Sequence, residues 1–222
     1  MDVLHDRIRM NLAAIQKRIT EAANRAQRPP DSIRLIAVTK TVSLAEVRIL
    51  LDLGIRDFGE NRVEDARGKI EAAAAPATWH MIGSVQRRKT RDVVALFDCV
   101  DSVDRLELAE TLDQRAGEAG KIMPVLVEVN VSGEETKHGF TPETIESALQ
   151  RMAQLRYIQV QGLMTMAPLV DNPEIVRPVF ARLRELADRF GLPERSMGMS
   201  NDFEVAVEEG ATQVRIGTAL FV

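Results

Sequence analysis

The chain has 222 residues, 45% of them apolar and 28% charged, which is enough to bury a full hydrophobic core. A net charge of −4 and a pI near 5.5 argue against a general nucleic-acid binder. No apolar run reaches membrane-spanning length, and His5, Asp6, Arg7 and Arg9 are out of place in a signal peptide, so a cytoplasmic protein without membrane association is expected.

The first segment, Val3 to Arg28, repeats apolar residues at Val3, Leu4, Ile8, Leu12, Ile15 and Ile19, a helical period that Pro29-Pro30 brings to an end. Strand-like and helix-like runs then alternate. Strands are expected at 34–39, 57–59, 78–82, 99–102, 123–130, 157–164, 195–199 and 213–216. Helices are expected at 44–53, 62–75, 86–96, 104–119, 141–154, 173–190 and 202–209. Ser43 three residues before Glu46, Thr141 after a Gly-Phe break, and Asn201 three before Glu204 are capping signals. Gly54, Gly120, Gly191 and Gly210 mark helix ends.

Eight strands separated by helices predict a parallel sheet with helical crossovers, and eight is the number that closes a (β/α)8 TIM barrel. The reading is an α/β chain forming a single barrel domain over residues 1–222, with residues 1–28 as an extra helix packed on it. An open doubly wound sheet is the alternative.

In a barrel, chemistry gathers at the carboxyl ends of the strands. The run Ile33–Lys40 is apolar from Leu35 to Val38 and closes on a cation, Lys40. A lysine there either reaches solvent or, once desolvated, forms a Schiff base with an aldehyde. Polar or small residues close the other strands too: Gly59-Glu60-Asn61, Gly83-Ser84, Asp101-Ser102, Asn130, Thr165, Ser200-Asn201-Asp202 and Gly217-Thr218. Ser200-Asn201-Asp202 opens a helix directly after a strand, which reads as an anion site or as an ordinary N-cap. Gly217-Thr218 is a close backbone approach beside a hydroxyl, or a turn. A phosphate at these two ends, facing Lys40 on the adjacent first strand, fits the shape of pyridoxal phosphate.

The remaining polar signals are weaker. Cys99 cannot form an intrachain disulfide and reads as a buried core thiol rather than a nucleophile. His5, His80 and His138 show no helical ligand spacing, so no metal site is expected. Arg87, Arg88, Lys89 and Arg91 read as a solvated helix face, with an anion or partner patch as the alternative.

Taken together, Leu35–Lys40, Phe58–Asn61, Trp79–Gly83, Val129–Glu134, Lys137–Phe140, Gly162–Met166, Ser196–Ser200 and Val214–Thr218 resemble the pyridoxal phosphate homeostasis proteins, which share the fold-type III barrel of alanine racemases. The resemblance implies that Lys40 holds pyridoxal 5'-phosphate as a Schiff base. It also implies that Ser200, Gly217 and Thr218 bind its phosphate, that Arg215 faces its pyridine nitrogen, and that Asn61 and His80 line the site. Arg88 stands where an asparagine is common in the family, and the chain stops at Phe221-Val222 where relatives often continue with Gly and a basic residue.

What the resemblance implies is a carrier in intracellular cofactor homeostasis, with no catalytic residue. It would bind and buffer the cofactor and deliver it to apo-enzymes. The alternative is a weak amino-acid racemase. An arginine at the pyridine nitrogen keeps that nitrogen unprotonated and weakens the ring as an electron sink. A two-base racemase also needs a base opposite the lysine, a tyrosine docked through an extra domain in the racemases that this chain resembles. Tyr157 is the only tyrosine and is expected at the amino end of its strand, on the opposite face of the barrel. The chain also lacks the length for that extra domain, so a monomer is expected.

Overall fold

A computed structural model describes residues 3–73, 75–134 and 137–222. Met1 and Asp2 of the N-terminal segment and Ala74 of the third predicted helix lie outside the described residues. The first helix, α1 (Val3–Arg25), buries Ile8, Leu12, Ile15, Ile19, Ala22 and Ala23 along one stripe. It stops before the prolines. Gln27 takes a left-handed conformation (φ 54°), the Arg28 amide bonds back to the Ala23 carbonyl at 2.9 Å, and the Gln27 amide bonds to that of Asn24 at 3.1 Å. This is a Schellman closure with a glutamine in the usual glycine position. The Arg28 guanidinium then donates to the carbonyls of Val207 and Ala211, both at 2.7 Å, tying the helix end to the last crossover.

The repeating units follow in order. They are β1 (Arg34–Val38), α2 (Leu44–Asp52), β2 (Asp57–Glu60), α3 (Val63–Ala72), β3 (Thr78–Met81), α4 (Thr90–Leu96), β4 (Cys99–Val103) and α5 (Leu106–Glu118). Then come β5 (Met123–Glu128), α6 (Ile145–Met152), β6 (Ile158–Met164), α7 (Arg177–Arg189), β7 (Glu194–Ser196), α8 (Phe203–Glu208), β8 (Gln213–Ile216) and α9 (Thr218–Phe221). Among the described residues the eight strands close into a parallel barrel in sequence order, with β1 paired to β8 from Arg34↔Gln213 to Ala37↔Ile216. The doubly wound alternative is thereby excluded. Among the described residues, no helix is long and apolar enough to cross a membrane.

Two layers of side chains follow from the period of two along each strand. Ala37, Phe58, Trp79 and Val100 turn outward into the core beneath the helices, where the Phe58 and Trp79 rings stack at 5.0 Å. His80, Cys99, Asp101 and Arg215 alternate with them and face the barrel interior. α1 packs against α8, α9 and α2 and so covers the seam where β8 meets β1.

The Ser43–Glu46 capping box forms as expected, with Ser43 Oγ accepting from the Ala45 amide at 3.2 Å and Glu46 accepting from the Ser43 amide at 3.0 Å. The helix expected from Thr141 starts at Ile145 instead, because the Thr141 amide donates to the Thr144 hydroxyl (3.0 Å) in a preceding turn. The last short helix, α9, has no counterpart in the sequence pattern, which ends on Gly217-Thr218.

Phe58 is fully buried between sheet and helices. Phe58→Ala is expected to lower stability by about 3–5 kcal/mol through the lost ring and the cavity left behind. Urea unfolding with an unchanged m-value is the measurement.

Candidate functional site

The carboxyl end of β1 is anchored by a buried ionic cluster. Thr39 Oγ1 donates to Glu60 Oε1 at 2.6 Å, and Lys69 Nζ donates both to that oxygen (2.9 Å) and to the Thr39 carbonyl (2.6 Å). Glu60 is fully buried and Lys69 nearly so. The residue before Lys40 is thus held by its side chain and by its carbonyl. Lys40 itself is exposed beyond the strand end, and no hydrogen bond or ion pair reaches its ammonium among the described residues. The cluster fixes the backbone beside Lys40 and leaves the Lys40 side chain unpaired among the described residues.

Closure of the barrel brings the ends of β7 and β8 beside β1. Arg215 on β8 is buried and donates to Ser196 Oγ at 2.7 Å and to the Thr165 carbonyl at 2.8 Å, which fixes the guanidinium plane. Burial pulls its pKa down, against the attraction of Asp101, Glu128 and Asp202. The Ala219 amide of α9 donates to Ser200 Oγ at 3.3 Å, so Ser200 and the Gly217-Thr218 turn form one unit. A Cβ on Gly217 would lie 3.4 Å from the Cβ of Val38 on β1, which measures how closely this turn approaches the end of the first strand.

The structure revises the expected helix start at Ser200-Asn201-Asp202. β7 ends at Ser196, and Asp202 is the N-cap of α8. The Asp202 carboxylate accepts the Met199 amide at 2.6 Å, turning the loop back on itself. Gly198 makes the turn possible: its φ is +93°, and a Cβ there would sit 2.6 Å from that of Ala206. Ser200 therefore faces α9 rather than leading into α8.

Asn61 follows β2, and its backbone packs against Gly83, where a Cβ would lie 2.3 Å from the Asn61 carbonyl. It borders a cavity of about 350 Å³ with Arg62, Gln86, Arg88 and Lys89. Arg88 is exposed and donates to Gln86 at 3.0 Å, while Lys89 pairs with Glu64. His80 is brought to other company. Its Nδ1 lies 3.0 Å from Asp101 Oδ2 and 3.0 Å from Cys99 Sγ, and its Nε2 lies 3.2 Å from Asp57. Burial disfavours the imidazolium, but Asp101 and the hydrogen bonds outweigh it and hold the His80 pKa well above its usual range. Burial, with the nearby Asp101 charge, pushes the Cys99 thiol up to about 11. None of the hydrogen bonds of His80 reaches Lys40. Lys69, the anchor of the β1 end, carries no signal in the sequence, where it looks like any helix-surface lysine.

A closed parallel barrel with a free lysine just past its first strand, and hydroxyl and amide groups at the seventh and eighth loops, belongs to the class of (β/α)8 barrels whose functional groups gather at the carboxyl rim. The sequence profile of the family described as "Alanine racemase, N-terminal domain" matches residues 10–222. The "Pyridoxal phosphate homeostasis protein" of Aquifex aeolicus is 42% identical over 217 residues, which are 95% of this chain and 95% of that one. PipY of Synechococcus elongatus, solved with PLP bound, is 39% identical with a TM-score of 0.81, over 94% of this chain and all of that one. An alanine racemase of Clostridium difficile shares the fold alone: it is 17% identical, with a TM-score of 0.75, over 97% of this chain and 56% of that one. The chain belongs to the pyridoxal phosphate homeostasis protein family, within the alanine racemase N-terminal domain fold.

Two outcomes test this geometry. Lys69→Met would leave Glu60 buried without its cation and is expected to cost about 3–5 kcal/mol, read from urea denaturation. Burial, then the neighbouring Asp104, raise the Glu128 carboxyl above the usual range, so its contribution to stability is fully present below about pH 4.3 and is lost as pH rises through the raised value. Glu128→Gln removes that penalty. The variant is expected to gain stability over the parent at pH 7 and to lose the advantage in acid, in denaturation curves at both pH values.

Proposed function

We propose that this chain binds pyridoxal 5'-phosphate at the carboxyl rim and serves in homeostasis of that cofactor, holding and delivering it without evident catalysis. The observation that carries the reading is Lys40, a free amine at a backbone position locked by Thr39, Glu60 and Lys69. The donor set fits the group. It offers an amine for an aldehyde, hydroxyl and amide groups of Ser200, Gly217 and Thr218 for a phosphate, and the Arg215 guanidinium for a ring nitrogen. Asn61 completes the proposed set as a lining residue, whereas His80, held by Asp57 and Asp101 toward the amino end of the barrel, stands apart from it. The relatives named for pyridoxal phosphate homeostasis, and PipY with PLP bound, support it.

When bound, the cofactor supplies an aldehyde that condenses with a primary amine and a ring able to accept electrons. The protein's residues govern how far that capacity is used. Arg215, held by Ser196 and the Thr165 carbonyl, keeps a positive charge where the ring nitrogen would need a proton, so electron withdrawal stays weak. Lys40 serves as the exchangeable amine. Racemisation would require a second base across from it. Tyr157 precedes β6 at the amino side, 42% exposed, with its ring against Gly117 of α5. That position supports a carrier over a racemase.

The purified protein incubated with pyridoxal 5'-phosphate is expected to gain the visible absorption of a lysine adduct. Borohydride should then fix the cofactor's mass on the peptide containing Lys40, and Lys40→Ala should take up no label. Label on another lysine, or none, overturns the reading. Racemisation of L-amino acids at ordinary enzyme turnover, abolished by Lys40→Ala, would replace the carrier with the racemase.

A further inference from the structure

The amino-terminal end of the barrel holds a second group of polar side chains that cofactor binding at the rim leaves unused. Arg34, Thr78 and Gln213 are the first residues of β1, β3 and β8, and they bound a cavity of about 180 Å³. His80, Cys99 and Asp101 form part of its wall. Strand pairing creates the cluster. His80 and Cys99 are register partners on β3 and β4, and Asp101, two residues beyond Cys99, points to the same face. Nδ1 of His80 lies 3.0 Å from both Cys99 Sγ and Asp101 Oδ2, and all three donor atoms fall within 4.8 Å of one another.

Thiolate, imidazole and carboxylate together are a donor set for zinc. Zinc bonds of about 2.0–2.3 Å at tetrahedral angles place donor atoms roughly 3.3–3.6 Å apart, so the two 3.0 Å separations from Nδ1 need to open by only a few tenths of an ångström. Asp57 sits on the far nitrogen of the same ring, at 3.2 Å. A carboxylate there fixes the tautomer that leaves Nδ1 for a metal. A separate observation points to the same cavity. Gln213 is buried and gives its Nε2 to Glu194 at 2.9 Å, yet its Oε1 is buried with no hydrogen-bond partner.

We propose that His80 Nδ1, Cys99 Sγ and Asp101 Oδ2 bind one Zn²⁺ at the amino-terminal end of the barrel, with the fourth position open to the cavity and filled by water. Binding releases the Nδ1 and Sγ protons to solvent. The thiolate and the Asp101 carboxylate then balance the two charges of the metal, so the buried site is neutral. Asp57 orients His80, and Gln213 Oε1 supplies an acceptor on the cavity wall where the metal-bound water would otherwise be buried with one fewer partner. Spacing along the chain pointed away from a metal because the ligands come one or two at a time from neighbouring strands.

The test uses the full chain, stripped with EDTA and titrated with Co²⁺ as a spectroscopic stand-in for zinc. One equivalent should produce a near-ultraviolet sulfur-to-cobalt charge-transfer band and visible bands of tetrahedral intensity, all discharged by Zn²⁺. Cys99 is the only cysteine in the sequence, so the charge-transfer band reports this site alone. Cys99→Ser should abolish it, and Asp57→Asn should weaken zinc binding about 10- to 100-fold. On the unsubstituted protein, Zn²⁺ should slow alkylation of Cys99, which keeps the test decisive if a variant does not fold. A protein that gives no charge-transfer band with stoichiometric Co²⁺, or whose thiol is alkylated equally fast with and without Zn²⁺, overturns the site. So does a band that survives Cys99→Ser.

Discussion

Everything functional in this protein depends on one set of backbone hydrogen bonds, the parallel pairing of β1 with β8. Residues 34–37 lie against residues 213–216, and that contact turns eight strands into a closed cylinder. Without it, Lys40 and the Gly217-Thr218 turn would stand at opposite edges of an open sheet. With it, the first and last strand ends become neighbours, and the Gly217-Thr218 turn closes on Val38, two residues before Lys40. The seam is paired from Arg34↔Gln213 to Ala37↔Ile216, wider than the single pair, Ser196↔Gln213, that joins β7 to β8. α1 covers it from outside, and Arg28 locks that helix to carbonyls of the α8 crossover.

Closure also imposes an electrostatic problem, because interior side chains are cut off from water at the level of the strands. The protein solves it by local pairing at separate levels. At the rim, Glu60 and Lys69 neutralise each other and clamp Thr39. Farther in, the buried Arg215 is held by Ser196 and the Thr165 carbonyl and feels the attraction of Asp101, Glu128 and Asp202. Toward the amino end, His80 lies between Asp57 and Asp101 with Cys99 alongside. The two ends of the barrel thus carry different chemistry: a lysine with hydroxyl and amide groups at one, and an imidazole, a thiol and carboxylates at the other.

Much of this could be read from the chain before any coordinates. The apolar run into Lys40 marked a buried strand ending in a cation, and the Ser43–Glu46 pair capped the helix it was expected to cap. Other signals misled for physical reasons. Asn201 and Glu204 have the spacing of a capping box, but the Asp202 carboxylate captures the Met199 amide and becomes the N-cap itself. Thr141 looked like a helix start, yet its amide is taken up by the Thr144 hydroxyl in a turn. Lys69 looked like an ordinary helix-surface lysine, and nothing in sequence separates it from Lys17, which stays in solvent.

What the sequence by itself determined is whatever depends on residues close along the chain: the alternation of strands and helices, the strand count, the apolar faces, and the polar ending of each strand. Periodicity and capping are local, so they survive without knowledge of the fold. The tertiary structure alone decided the contacts between strands. It placed Lys69 under Thr39, Ser200 against the amide of α9, and His80 beside Cys99. Those contacts depend on register, and a shift of one residue in a parallel pair turns every side chain to the other face of the sheet. The sequence could therefore point to Lys40 as the residue to watch, while only the closed barrel could show what holds it in place.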